Sequence, residues 1–217
     1  MTAPLILHNF FRSSTSIRVR AALNLKGVAY EQRTYALRRG DHRAPAYRAL
    51  NPQGLVPALE LPDGTVIPQS PAILEYLEET HPEPPLLPRG ATARARVRAL
   101  ASAVACDIHP VNNLRILLYL ETRFGADEAA VAEWFRHWVA ESFGPLETML
   151  AGSPDTGHFC HGDAPTLADV CLFSQAVNNR RFAVDMEPYP TIRRIVDACA
   201  ALPAFERALP ENQPDAA

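Results

Sequence analysis

Ten residues, His81-Pro82-Glu83-Pro84-Pro85-Leu86-Leu87-Pro88-Arg89-Gly90, hold four prolines. Each proline fixes φ and removes a backbone donor, so neither a helix nor a central strand survives that density. The stretch reads as a stiff linker, and the chain changes character across it. Upstream, strand and helix patterns alternate. Residues 5–10 form an apolar strand, 16–26 a helix stopped by Gly27, and 28–35 a second strand. A short helical segment follows at 43–50. Residues 55–61 and 65–68 flank Pro62-Asp63-Gly64, a turn sequence between two strands. Residues 70–79 form a helix, with Ser70 as N-cap and Pro71 at the first helical position. Downstream everything is helical: 92–122 with a kink at Pro110, 127–150, and helices opening near Thr166 and Thr191. The expected organisation is an α/β domain over 1–83, a linker over 84–91 and an all-α domain over 92–217.

With 47% hydrophobic residues, 21% charged residues and a net charge of −3, the 217-residue chain reads as an ordinary globular protein. No global charge draws it to nucleic acid or membrane. No basic-then-apolar leader opens it, and no apolar run approaches the roughly 18 residues of a membrane span. Cys106, Cys160, Cys171 and Cys199 are scattered, which fits reduced thiols in the cytoplasm better than a disulfide framework. His158-Phe159-Cys160-His161 lacks the further ligands a metal site requires, so no metal is expected. Trp134 and Trp138, at helical spacing with Val131 and Phe135, read as core. Thr166-Leu167-Ala168-Asp169 has the form of a capping box.

The chemistry gathers at Arg12-Ser13-Ser14-Thr15-Ser16-Ile17-Arg18-Val19-Arg20. Four hydroxyl residues in a row sit where the first strand hands over to the first helix. Free backbone N–H groups and the positive end of the helix dipole converge there. A thiolate at that point is stabilised by both. Thioredoxin-like folds keep Cys-x-x-Cys at this place; here the spacing is Ser13-x-x-Ser16, so the sulfur must come from a ligand, with glutathione the candidate. The hydroxyls also read simply as helix caps, and the two roles share one geometry.

These residues resemble the cytosolic glutathione transferases, and more narrowly the zeta class, the maleylacetoacetate and maleylpyruvate isomerases. Zeta proteins carry Ser-Ser-Cys-Ser-x-Arg-Val-Arg at the first helix, matched by Ser13 to Arg20 with Thr15 in place of the cysteine. Further matches are Ala49-Leu50-Asn51-Pro52, Val56-Pro57, Gln69-Ser70-Pro71, Ile108-His109-Pro110-Val111-Asn112-Asn113-Leu114-Arg115, Gly162-Asp163, Arg181-Phe182 and Pro188-Tyr189-Pro190. The resemblance implies a thioredoxin-like N-terminal domain, an all-α C-terminal domain, glutathione as cofactor and a cytoplasmic homodimer.

It also implies roles. Ser13, Ser14 and Thr15 become the catalytic hydroxyls, and Ser16, Ile17 and Arg18 join them around glutathione. Val56, before a cis Pro57, pairs its backbone with the cysteinyl part. Gln69 and Ser70 hold the γ-glutamyl carboxylate. His42 reaches the glycyl end, or else faces solvent. His109, Asn113, Leu114 and Arg115 complete the ligand-facing set. The substrate bears carboxylates, so arginines should grip it: Arg12, Arg18, Arg115 and Arg181. Arg18 also reads as a structural ion-pair partner.

The implied activity is glutathione-dependent cis–trans isomerisation of maleylacetoacetate to fumarylacetoacetate in homogentisate catabolism. Leu114 tilts the choice toward that substrate. Such a site must lower a thiol pKa, stabilise an enolate and hold carboxylates. The alternatives are a maleylpyruvate isomerase of gentisate catabolism, a general transferase acting on small electrophiles such as α-halo acids, and a non-catalytic binder that keeps the fold.

Overall fold

The computed structural model describes residues 3–216. They form two units, one running to Leu86 and taking in the chain from Ala201 onward, the other spanning Leu87–Ala200. In the first, β1 (Leu5–Asn9) leads through α1 (Ser14–Leu25) to β2 (Tyr30–Thr34). Two 3-10 turns, Leu37–Arg39 and Asp41–Arg43, precede α2 (Pro45–Leu50). Then come β3 (Ala58–Glu60), β4 (Val66–Pro68) and α3 (Ser70–Thr80). The sheet order is β2-β1-β3-β4, with β1 parallel to β2 and the other pairs antiparallel.

Alternation along β1 assigns the two faces. Asn9 reaches Arg20 of α1, whereas the ring of His8 lies against Tyr35 and Tyr47, the latter on α2. Leu7, Val19, Leu23, Leu59, Ile73 and Leu77 are fully buried and form the core beneath α1 and α3. Buried His8 is flanked by the Tyr35 hydroxyl at 2.8 Å and Glu60 Oε2 at 2.9 Å, so both ring nitrogens are satisfied.

The third strand is shorter than the 55–61 expected from sequence. The Leu55 carbonyl is taken by Tyr47 and Asn51 side chains, and Val56-Pro57 is cis, so pairing begins only at Ala58. The cap of α3 also differs. Gln69, not Ser70, is its N-cap, at φ 72°, and Pro71 falls one place later.

The second unit opens with α4 (Ala91–Ser102), followed by a π-helical turn over Ala103–Ile108, α5 (His109–Asn112) and α6 (Leu114–Phe124). The expected single helix over 92–122 is thus interrupted from 103 to 113. Pro110 has no N–H to return to the preceding turn, and the widened turn lies immediately before it. Next are α7 (Glu128–Ala151), α8 (Leu167–Arg180) and α9 (Pro190–Ala200). Helix α8 is almost wholly buried, packed by α4 and α9. At its start Asp169 accepts from the Thr166 N–H and hydroxyl and from the Cys160 N–H. Of the four apolar residues at helical spacing on α7, Val131 and Phe135 are core; Trp134 and Trp138 are only half-buried. No helix among the described residues is long and apolar enough to cross a membrane.

After α9 the chain returns to the first unit through α10 (Pro203–Glu206), which packs on α1. This differs from the division expected at 83/84 with everything from 92 to 217 helical and separate. Two polar clusters explain the difference. Lys26 Nζ lies 2.9 Å from Glu78 and donates to the carbonyls of His81 and Pro84, while the Leu86 N–H donates to Glu78; this binds 81–86 to the first unit. Buried Arg20 takes its acceptors in part from Ala208.

Candidate active site

Ser13 is the N-cap of α1, and its Oγ accepts from the Ser16 N–H at 3.3 Å. The same oxygen lies 2.8 Å from Thr15 Oγ1, and Thr15 donates to the Val56 carbonyl at 3.1 Å. A hydroxyl has one proton. That of Thr15 is committed to Val56, so Ser13 is the donor between the two, and its proton is the one able to turn toward a ligand. Thr15 thus supports Ser13 and ties α1 to the cis Val56-Pro57 loop.

Three expectations change. Ser16 is fully buried, and its Oγ accepts from the Phe10 N–H, closing the loop from within. Ile17 is core, and its N–H is used by the Ser13 carbonyl. Neither side chain has a face to offer glutathione. Arg18 is 1% exposed, and Nη1 donates to Ser70 Oγ at 3.4 Å. It therefore stands behind the α3 N-terminus rather than in reach of a substrate. Ser14 opens α1 and is buried; Arg12 is exposed and lies over the Phe11 ring at 5.0 Å.

Ser70 spends an acceptor on Arg18 and keeps its own proton. Together, the hydroxyl, the helix dipole and the cation below are suited to an anion at the α3 N-terminus. Exposed Gln69 is steadied by Gln53, which accepts from its amide at 2.8 Å. The loop between is held close: a side chain at Gly54, where φ is 59°, would crowd the His42 carbonyl.

His42 is buried rather than solvent-facing, and Nδ1 has no partner among the described residues. Burial, then Arg43, lowers its pKa, which favours the neutral ring. An orphaned polar atom at such a place fits a polar ligand group. Glutathione fits these residues: a mobile hydroxyl proton at α1, an anion site at α3, and an unsatisfied imidazole nitrogen on the Asp41–Arg43 turn.

In the helical unit, His109 opens α5 directly after the π turn. Asn113 is the half-buried N-cap of α6. Its Oδ1 accepts from the N–H groups of Arg115 and Ile116, and its amide donates to Pro110. Capping thus takes its oxygen and one of its two amide protons. Leu114 is half-buried, and Arg115 is exposed on the first turn of α6. Arg181, just past α8, is exposed and lies over the Phe182 ring, which stacks on Phe135 at 3.8 Å.

The hydroxyl-bearing helix start, the cis-proline loop and the α3 anion site on a four-stranded mixed sheet define a thioredoxin-like thiol-binding module. Residues 12–80 match the family model of the glutathione S-transferase N-terminal domain. The chain is 54% identical to the maleylpyruvate isomerase of Ralstonia sp, over 97% of this chain and 99% of that one. A solved structure of a maleylpyruvate isomerase, described as a bacterial zeta-class glutathione S-transferase, matches with a TM-score of 0.95 and 53% identity, over 98% and 100% of the two chains. The maleylacetoacetate isomerase of Methylobacterium extorquens AM1, solved with malonate and glutathione, matches with a TM-score of 0.94 and 44% identity, over 98% and 99%. The chain belongs to the zeta-class glutathione transferase family of maleylacetoacetate and maleylpyruvate isomerases.

Sequence reasoning does not find Tyr47, Asn51, Gln53 or the buried partners of Arg20. The Asn51-Pro52 pair is visible as a motif, but nothing local says that its amide reaches the Leu55 carbonyl.

Proposed function

We propose that this chain is a glutathione-dependent cis–trans isomerase of maleyl-keto acids, acting in the cytoplasm as a homodimer, as its family implies. The observation that carries it is the Ser13–Thr15–Val56 chain of hydrogen bonds, in which the Ser13 proton, given to Thr15, can turn instead to a ligand at the α1 N-terminus. Glutathione bound there supplies a thiolate that adds reversibly to the cis alkene, so that the former double bond rotates before elimination.

Ser13 donates to the sulfur and, with the helix dipole, keeps it ionised. Thr15 fixes Ser13 and the Val56 carbonyl in one frame. Ser70, backed by Arg18, holds the γ-glutamyl carboxylate, with Gln69 beside it. His42 donates to the glycyl end. Arg115 grips a substrate carboxylate, so R115A should raise the substrate KM about tenfold with kcat little changed.

The chemistry is common to maleylacetoacetate and maleylpyruvate, which differ in chain length. The test is a proton NMR time course of maleylpyruvate and maleylacetone with and without glutathione. Conversion to the trans isomer with glutathione undiminished supports the isomerase, and the faster substrate identifies the pathway. Glutathione consumed by an α-halo acid, with neither maleyl compound converted, overturns it in favour of a transferase.

A further inference from the structure

Resting on the glutathione site proposed above, we infer that the chain from Ala201 to Asp215 is a strap that sets the Ser13 hydroxyl, with Arg20 and Asp215 as positioning residues. The strap grips the β1–α1 loop through its backbone. Asp215 Oδ2 accepts from the Phe11 N–H at 3.1 Å. Arg20 Nη2 donates to the Phe11 carbonyl at 2.8 Å and to the Ala208 carbonyl at 2.9 Å, joining loop and strap through one nitrogen. Arg20 Nε adds a second bond to Ala208, and Nη1 donates to Asn9 Oδ1 and the Phe10 carbonyl.

Both backbone polar groups of Phe11 are therefore held, two residues before Ser13. The Ser13 N–H is in turn bonded to the Phe10 carbonyl, which Arg20 also contacts. The loop is left little freedom between strand and helix. Arg20 has no solvent exposure, so its guanidinium depends wholly on these acceptors. Burial lowers its pKa to about 10, and Tyr30 and Asp215 oppose the shift, so it remains charged at neutral pH.

The strap is itself braced. Gln213 donates to the carbonyls of Arg207 and Leu209 and accepts from Gln32 of β2, while Asn24 of α1 donates to Ala204. These bonds hold the strap to the sheet and helix; the Asp215 and Arg20 bonds act on the loop that carries Ser13. The second arginine of Arg18-Val19-Arg20 thereby has a task distinct from the first.

The experiment uses the full chain and its variants D215A and D215N. Three quantities are read: the pH titration of the ultraviolet thiolate band of bound glutathione, kcat and KM with a maleyl-keto acid, and the thermal midpoint. D215A removes the Phe11 acceptor; D215N keeps an oxygen in its place. In D215A the thiol titration should rise by about half a pH unit and kcat fall about fivefold, with glutathione KM changed less than about twofold. D215N should recover most of both.

A D215A protein with a lowered thermal midpoint but unchanged titration and kcat overturns the inference, because a merely structural strap gives that result. If D215A does not fold, failure of D215N to retain the wild-type titration and kcat overturns it equally. An inactive wild type whose bound thiol still shifts in D215A overturns the isomerase and keeps the strap. A wild type that binds no glutathione overturns both.

Discussion

The Tyr47 hydroxyl donates to the Leu55 carbonyl at 2.6 Å, one residue before the cis Val56-Pro57 bond. Asn51 donates to the same oxygen at 2.9 Å. Tyr47 of α2 thus fixes the loop that Thr15 grasps from the other side. Burial pushes the Tyr47 pKa up to about 12, so the hydroxyl stays a donor at every working pH. Y47F should cost about 1 kcal/mol, since Asn51 remains. The thermal midpoint should fall by roughly 2–4 °C. Because the loop loosens, KM for glutathione should rise about threefold while kcat changes less. Calorimetry and steady-state kinetics check the two effects.

Ser13 and Thr15 should separate cleanly. S13A removes the mobile proton, and kcat should fall about a hundredfold with glutathione affinity changed far less. T15V leaves that proton but frees the Val56 carbonyl, so the larger effect should be on glutathione binding. Equilibrium dialysis and pre-steady-state kinetics distinguish them. Equal loss of binding and rate in S13A would reduce Ser13 to a ligand contact.

Lys26 and Glu78 form an ion pair at 2.9 Å with side chains 0% and 7% exposed. K26M removes the cation and the ties to the His81 and Pro84 carbonyls. Breaking such a pair from one side costs about 3–5 kcal/mol, whereas K26M/E78L should recover much of it. Urea-unfolding midpoints of the full chain measure both; a single variant as stable as the wild type would show that the pair does not hold 81–86.

His42 gives a pH dependence whose sign follows from its lowered pKa. Between the folded value and the ordinary 6.5 the unfolded chain binds more protons than the folded one. The contribution is present above 6.5 and is lost as pH falls through the folded value. The thermal midpoint of the wild type, minus that of H42Q, should therefore shrink as pH drops from about 7 to about 5. A constant difference would mean that His42 titrates normally.

The strand and helix starts of the first unit are legible because alternation, Gly27 and the Pro62-Asp63-Gly64 turn are local signals. Ser13 is legible for the same reason: an N-cap is a property of a few consecutive residues. The burial of Arg20 is not, since an arginine on an amphipathic helix reads as surface, and its acceptors on Asn9, Phe10, Phe11 and Ala208 come together only in the fold. Asn113 carries a usable signal, an N-cap residue ahead of an apolar periodic run, but as part of a ligand-like motif it reads as a contact. The Gln69 backbone at φ 72° has no signal at all, because glutamine is not a residue that favours that region.

The return of the chain from 201 onward to the first unit orders events at synthesis. Residues 87–200 leave the ribosome with every element of their unit complete. Arg20 of α1, made well before them, waits for Ala208 before its Nε has an acceptor. The half of the protein begun earliest is thus the half finished last, and a nascent chain stopped short of residue 208 carries a finished helical unit and an open thiol-binding one.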